Sequence, residues 1–288
     1  MKQIKLQTPV KMGHNSHQLE HGIGICGIGS CFAQDILTRM YNVGFTGEQN
    51  PNGIVYNSHS IAQSLLRAAN SELYTNDDFF KHNDRWCSWE HHGSYSDVDI
   101  NKAVAGANTA LKQFHAAVIE SGVFVMTPSS SVIYQRVENK KIVANCHKVP
   151  NHLFQRRLLS QGENELALHS SIASIHSINP LCKIIFTLSP VRHYPGDLVL
   201  NARSKANLLA AIHNCVDQYD FVEYFPAYEI VLDELRDYRF FNEDMLHPNE
   251  LARNIIFQRF IDTYFSAHAH SEIEAAEKIY RASLHRTN

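Results

Sequence analysis

A serine at position 30 ends the apolar run Ile23-Gly24-Ile25-Cys26-Gly27-Ile28-Gly29, and a helical pattern begins directly after it at Cys31. A hydroxyl mounted between a buried strand and a helix start lies where free backbone N–H groups stabilise a developing oxyanion. Taken alone, the segment reads better as an ordinary helix N-cap, a position that Ser favours. Serine becomes a nucleophile only beside a base, and Asp244-Met245-Leu246-His247 offers one ahead of a long amphipathic stretch. Asp and His three residues apart share one tight turn, in which the carboxylate orients one imidazole nitrogen and leaves the other to take a serine proton. By itself this spacing also reads as a helix start, with Pro248 and Glu250 in the first turn. Cys31 is a rival nucleophile, because a thiolate at a helix N-terminus has a lowered pKa. The residue after such a nucleophile reads better as a small buried apolar group.

These residues need a frame. Strand-like runs at 23–28, 123–127, 182–188 and 221–224 alternate with apolar stripes of helical spacing. The stripes are Ile61, Leu65, Leu66 and Ala69; Val104, Ala107, Leu111, Phe114 and Val118; Leu168, Ile172 and Ile175; and Leu208, Leu209, Ile212, Cys215 and Val216. The alternation predicts a three-layer α/β/α domain with a mostly parallel central sheet. Leu251, Ile255, Phe260 and Tyr264 predict a closing helix. A parallel sheet gathers its loops at the carboxyl ends of its strands. That edge would hold Ser30, the turn at 50–57, the block at 127–131, the segment 189–193 and Asp244 with His247. Residues 1–270 read as one domain, with an insertion at 73–99 near the site and a helical tail at 271–288 that is either a homodimer contact or a solvated helix.

Composition narrows the class. The chain has 288 residues, 44% of them hydrophobic, which is enough for a sizeable core. Lys plus Arg number 26 against 29 Asp plus Glu, a balance that points away from nucleic acid and anionic membranes as partners. The start, Met1-Lys2-Gln3-Ile4-Lys5-Leu6-Gln7, alternates like a strand, and neither a signal peptide nor a membrane span is expected, so the location reads as cytoplasmic. Six scattered cysteines without a C-x-x-C pair read as reduced thiols. His14, His17 and His21 fall in an irregular lead-in and His91-His92 would diverge, so neither a metal nor a cofactor is expected. Trp86, Trp89 and Tyr95 line either a sugar-binding wall or, the preferred reading, the small core of the insertion.

Gly29-Ser30-Cys31-Phe32-Ala33 resembles the signature of the GSCFA domain family, a branch that looks like the SGNH (GDSL-type) hydrolase superfamily. Further matches are Thr8-Pro9-Val10, Asn50-Pro51-Asn52-Gly53-Ile54-Val55-Tyr56-Asn57, Val143-Ala144-Asn145-Cys146-His147-Lys148-Val149-Pro150, Ser189-Pro190-Val191-Arg192-His193, Tyr224-Phe225-Pro226-Ala227-Tyr228-Glu229, Arg236-Asp237-Tyr238-Arg239-Phe240 and His247-Pro248. The resemblance implies an SGNH-like fold of flavodoxin-like topology and a serine-dependent ester hydrolase with Ser30, His247 and Asp244 as its catalytic residues. It implies oxyanion donors at the Ser30 and Gly53 N–H groups and the Asn145 side chain, and substrate contacts from His147, Arg192 and His193. A short acyl ester is the implied substrate, with acetyl on a glycan hydroxyl as one form. Transfer of the acyl group to an acceptor on the same site is an alternative, and a non-catalytic binding protein on the same fold is another. The sequence departs from the superfamily where Thr127-Pro128-Ser129-Ser130-Ser131 replaces its glycine-x-asparagine block. It departs from typical relatives at Ser129, Asn52 and Ser58-His59, and these changes bear on the oxyanion donors more than on the nucleophile.

Overall fold

The apolar runs become the central strands of the protein, whose computed structural model describes residues 7–13, 18–193 and 197–286. In chain order the strands are β1 (Gly24–Gly29), β2 (Phe80–His82), β3 (Arg85–Cys87), β4 (Ser121–Thr127), β5 (Val132–Arg136), β6 (Ile142–Val143), β7 (Phe154–Leu158), β8 (Lys183–Phe186) and β9 (Val222–Tyr224). The helices are α1 (Cys31–Asn42), α2 (Ser58–Ala69), α3 (Ile100–Glu120), α4 (Gln161–Ile178), α5 (Leu198–Gln218), the short α6 (Ala227–Glu229), α7 (Glu250–Tyr264) and α8 (Ala267–Arg286). Side-chain oxygens of Asn57, Asp99, Ser160, Asp197 and Asn249 accept backbone N–H groups at the starts of α2, α3, α4, α5 and α7, which is why those stripes begin where they do.

The central sheet is parallel throughout, in the order β1-β4-β8-β9. Residues 46–50 run parallel along the free edge of β1, where Ile25 N–H donates to Thr46 O at 2.8 Å and Gly27 N–H to Glu48 O at 3.1 Å. Counting that edge, the order is the flavodoxin-like 2-1-3-4-5. Strand alternation splits the core in two. Cys26, Ile28, Phe124, Met126, Ile184 and Phe186 pack beneath α2, α3, α4 and α5, whereas Ile25, Val123, Val125 and Ile185 pack beneath α1, α7 and α8. The expected three-layer α/β/α domain is the observed one.

Three features differ from the sequence reading. Residues 132–158 fold back as an antiparallel sheet in the order β6-β5-β7, and the 73–99 insertion contains the β2–β3 hairpin; neither pairing was expected. In the insertion Trp86 packs against the main core and Trp89 stacks on Phe80 at 3.7 Å, the small-core arrangement rather than an open wall. The last helix starts at Ala267, and its Ala269 and Ile273 are buried, so its beginning closes the core instead of lying on the surface. The six cysteines are free thiols. His21 Nε2 donates to Val43 O at 2.8 Å and the ring meets the Phe45 ring edge, a packing role, while His14, His17 and most of the expected N-terminal strand lie outside the described residues. No helix among the described residues is long and apolar enough to cross a membrane.

Candidate active site

Ser30 occupies the N-cap position of α1, but its hydroxyl accepts no cap hydrogen bond. The residue is 0% exposed and its Oγ has no hydrogen-bond partner. A buried hydroxyl left unpaired in this way is costly and calls for an explanation. The turn that holds it depends on Gly29, whose φ of +149° favours glycine and whose missing Cβ would lie 2.3 Å from Thr127 O. Ser30 does not stand alone: Thr127 Oγ1, Ser129 Oγ and Thr187 Oγ1, at the carboxyl ends of β4 and β8, are buried and unpartnered too. An unsatisfied polar floor of this kind is suited to receiving a polar group from outside.

The base turn is assembled as its spacing implied. His247 Nδ1 lies 2.7 Å from Asp244 Oδ2, and Asp244 Oδ1 accepts the N–H groups of Leu246 at 2.8 Å and His247 at 3.0 Å. Those hydrogen bonds hold the Asp244 carboxyl down to about 2, with the His247 N–H as the foremost contributor. With Nδ1 on the carboxylate, Nε2 is the nitrogen left for proton transfer. The imidazole is 43% exposed, and Ser30 Oγ is not bonded to it in this structure. The two turns share one sheet edge, because Arg192, in the segment after β8, donates its N–H to Leu246 O at 3.1 Å.

Arg192, expected as a substrate contact, also points Nη1 at Met245 O (3.4 Å) and lies 4.3 Å from the Phe241 ring centroid, so it braces the base turn. His193 packs on Tyr56 at 4.4 Å between centroids, and burial, with help from Lys205 and His247, pushes its imidazole down to about 4. It is therefore neutral near pH 7. Asn145 and His147 pack against the insertion. Asn145 Oδ1 accepts His147 N–H at 2.8 Å, and His147 Nε2 meets Ser88 O at 2.7 Å against Phe80 and Trp89 of the insertion.

The two backbone groups expected as oxyanion donors are engaged in other bonds. Ser30 N–H donates to Thr127 O at 3.1 Å, and Gly53 N–H closes a turn on Asn50 O at 2.7 Å. A donor that the sequence reading passed over is anchored on the residue before the nucleophile. Asn50, buried with φ +48°, accepts Gly29 N–H on Oδ1 at 2.8 Å, which leaves its Nδ2 buried and without a partner. Since the backbone group is a donor, the atom facing it must be oxygen, and the amide orientation follows from chemistry. The motif at 50–57 is contiguous in the sequence, and the resemblance pointed to its glycine rather than to Asn50.

Lys205 was missed as well, although a charged residue on the stripe that carries Leu208 and Ile212 was a signal. It is 2% exposed, and Nζ donates to Ser189 O at 2.5 Å. Cys31, the rival nucleophile, has its thiol pushed up by burial, which works against a thiolate there. The block 127–131 is locked in place, since Ser129 and Ser130 N–H donate to Tyr56 O and Ser131 N–H donates to Ser204 Oγ at 2.7 Å. A separate cleft of about 580 Å³ lies between α2, the insertion and the β5–β6 hairpin, and none of Ser30, Asp244 and His247 lines it.

A family model described as the GSCFA family matches residues 24–260. Among solved structures, an acetyl xylan esterase from the rumen bacterium Butyrivibrio proteoclasticus is similar at 9% identity over 88% of this chain, with a TM-score of 0.40. The chain spans 64% of that structure's length. No curated protein matches the sequence.

Proposed function

We propose that this chain, which belongs to the GSCFA family, is a serine-dependent hydrolase of a short acyl ester, with an O-acetylated carbohydrate as its substrate class. One observation carries the reading: a buried, unpartnered Ser30 hydroxyl stands at the same sheet edge as a preassembled Asp244–His247 pair. In the reaction Ser30 Oγ bonds to the ester carbonyl carbon while His247 Nε2 takes its proton, and Asp244 holds the imidazole in the required tautomer. The carbonyl π pair moves to oxygen, and Asn50 Nδ2 donates to that oxyanion in place of the Gly53 N–H and Asn145. Collapse expels the alcohol with the proton from His247, and water then cleaves the acyl-enzyme. The Ser30–His247 contact forms when substrate enters, as such contacts often tighten only in the bound complex.

Acyl transfer is a second reading, favoured by the complete burial of Ser30, since a nucleophile shielded from water suits transfer to a sugar hydroxyl. The test begins with a fluorophosphonate probe. Wild-type protein takes one label at Ser30, and Ser30→Ala takes none while keeping its circular dichroism and melting temperature. Folded wild type that stays unlabelled would sink the reading in favour of a non-catalytic binding protein. Release of acid from an aryl acetate without added acceptor would exclude obligate transfer.

A further inference from the structure

Lys205 projects from the face of α5 that carries Leu208, Ala211, Ile212 and Cys215 into the core. Its side chain ends at the carboxyl edge of the sheet, on Ser189 O, with the Tyr228 ring centroid 5.9 Å from Nζ. An ammonium has three donors, and a single acceptor accounts for one of them. The group acting on Lys205 electrostatically is the neutral-leaning thiol of Cys31, and no carboxylate among the described residues forms an ion pair with it. Buried cations are normally paired, because an isolated one is expensive to hold out of water. A protein that keeps such a cation unpaired has its anion arriving with the ligand or forming in the reaction.

The position says where that anion is. Ser204, the residue before Lys205, accepts Ser131 N–H at 2.7 Å just beyond β4, whose Thr127 O holds the Ser30 N–H, and Asn201, one turn earlier on α5, accepts the N–H of His193 at 3.0 Å, next to the Arg192 whose N–H holds Leu246 O of the base turn. Lys205 thus extends from the turn of α5 that is hydrogen-bonded both to the end of β4, which holds the nucleophile turn, and to the segment after β8, which holds the base turn. We propose that Lys205 is a catalytic residue whose ammonium is the counter-charge for the oxyanion that Ser30 attack creates and for the carboxylate that hydrolysis releases. This rests on the ester-hydrolase reading. In the attack the C–O bond to Ser30 forms, the carbonyl π pair moves to oxygen, and the serine proton goes to His247; Lys205 donates an N–H hydrogen bond to the oxyanion and keeps its proton. The ester is neutral and the oxyanion is not, so the contribution appears in kcat rather than in KM. Burial pushes the Lys205 pKa down to about 7, so the empty site sheds the charge readily and regains it as negative charge develops.

The experiment compares wild type with Lys205→Met in three measurements: aryl acetate kinetics, thermal melting, and melting in sodium acetate against sodium chloride of equal ionic strength. Expected for the variant is a loss of about 10²–10³-fold in kcat with KM little changed. Its melting temperature should rise, because a buried unpaired charge has been replaced by an apolar chain. Acetate should raise the melting temperature of wild type and not that of the variant. Wild-type kcat in the variant would overturn the proposal. So would a fall in melting temperature alongside the lost activity, which would make Lys205 a structural post on Ser189. If wild type neither turns over aryl acetate nor takes the fluorophosphonate label, the hydrolase reading fails, and the acetate measurement alone decides whether Lys205 binds a carboxylate.

Discussion

At Asp244 three donors converge on one carboxylate, and their effect on its ionisation decides what the pH profile contains. Held down to about 2, this carboxyl stays charged throughout the range in which an esterase is assayed, so no inflection there belongs to it. Asn50 is the residue on which the oxyanion assignment turns. Asn50→Asp retains an oxygen for Gly29 N–H and removes the Nδ2 donor, so the fold should persist while kcat on an aryl acetate falls by about 10²–10³-fold. An unchanged kcat in the folded variant would return the role to backbone donors. Ser30, Asp244 and His247 were legible in the sequence because a strand-to-helix serine and a three-residue Asp–His spacing are local features. Asn50 and Lys205 were not read as site residues, because what marks them is a missing partner, which only three-dimensional neighbours reveal.

Among the elements, the β1–α1 turn carries the tightest steric condition. A methyl group at Gly29 meets Thr127 O in a backbone conformation that L side chains avoid. Gly29→Ala should therefore cost about 2–4 kcal/mol in urea denaturation and also lower fluorophosphonate labelling by displacing Ser30. Stability equal to wild type would show that the turn can relax. The parallel strands and their helices were legible because buried runs and stripes of three and four are periodic in the chain. The β6-β5-β7 sheet was not, since its strands are two to five residues long and their pairing joins segments that no local period connects. Arg192 shows the same limit: its place after a strand did not reveal that its backbone N–H holds Leu246 O and its Nη1 reaches Met245 O.

For the molecule as a whole, the buried site couples folding to pH. Lys205 has its folded pKa near 7 against an ordinary 10.5, so between those values the unfolded chain binds the proton and the folded one does not. Stability from this group rises with pH across that window, by up to about 1.4 kcal/mol per unit, and is lost below it. His193 acts in the same direction lower down, between about 4 and its ordinary 6.5. Buried thiols such as Cys26, pushed up to about 11, oppose the trend in alkali, so the lysine is isolated by difference. The stability advantage of Lys205→Met over wild type should shrink as pH rises from about 7 to 10 in urea titrations; a constant gap would mean that Lys205 is not held neutral by burial. The amino-acid sequence by itself determined the layered α/β architecture, the family and the nucleophile–base candidates, because each rests on local periodicity or on motifs contiguous in the chain. Tertiary structure alone decided which donors remain free, that Asn145 and His147 pack against the insertion, and that a lysine from α5 lies buried on Ser189 O, because hydrogen-bond satisfaction and burial are properties of the packed molecule.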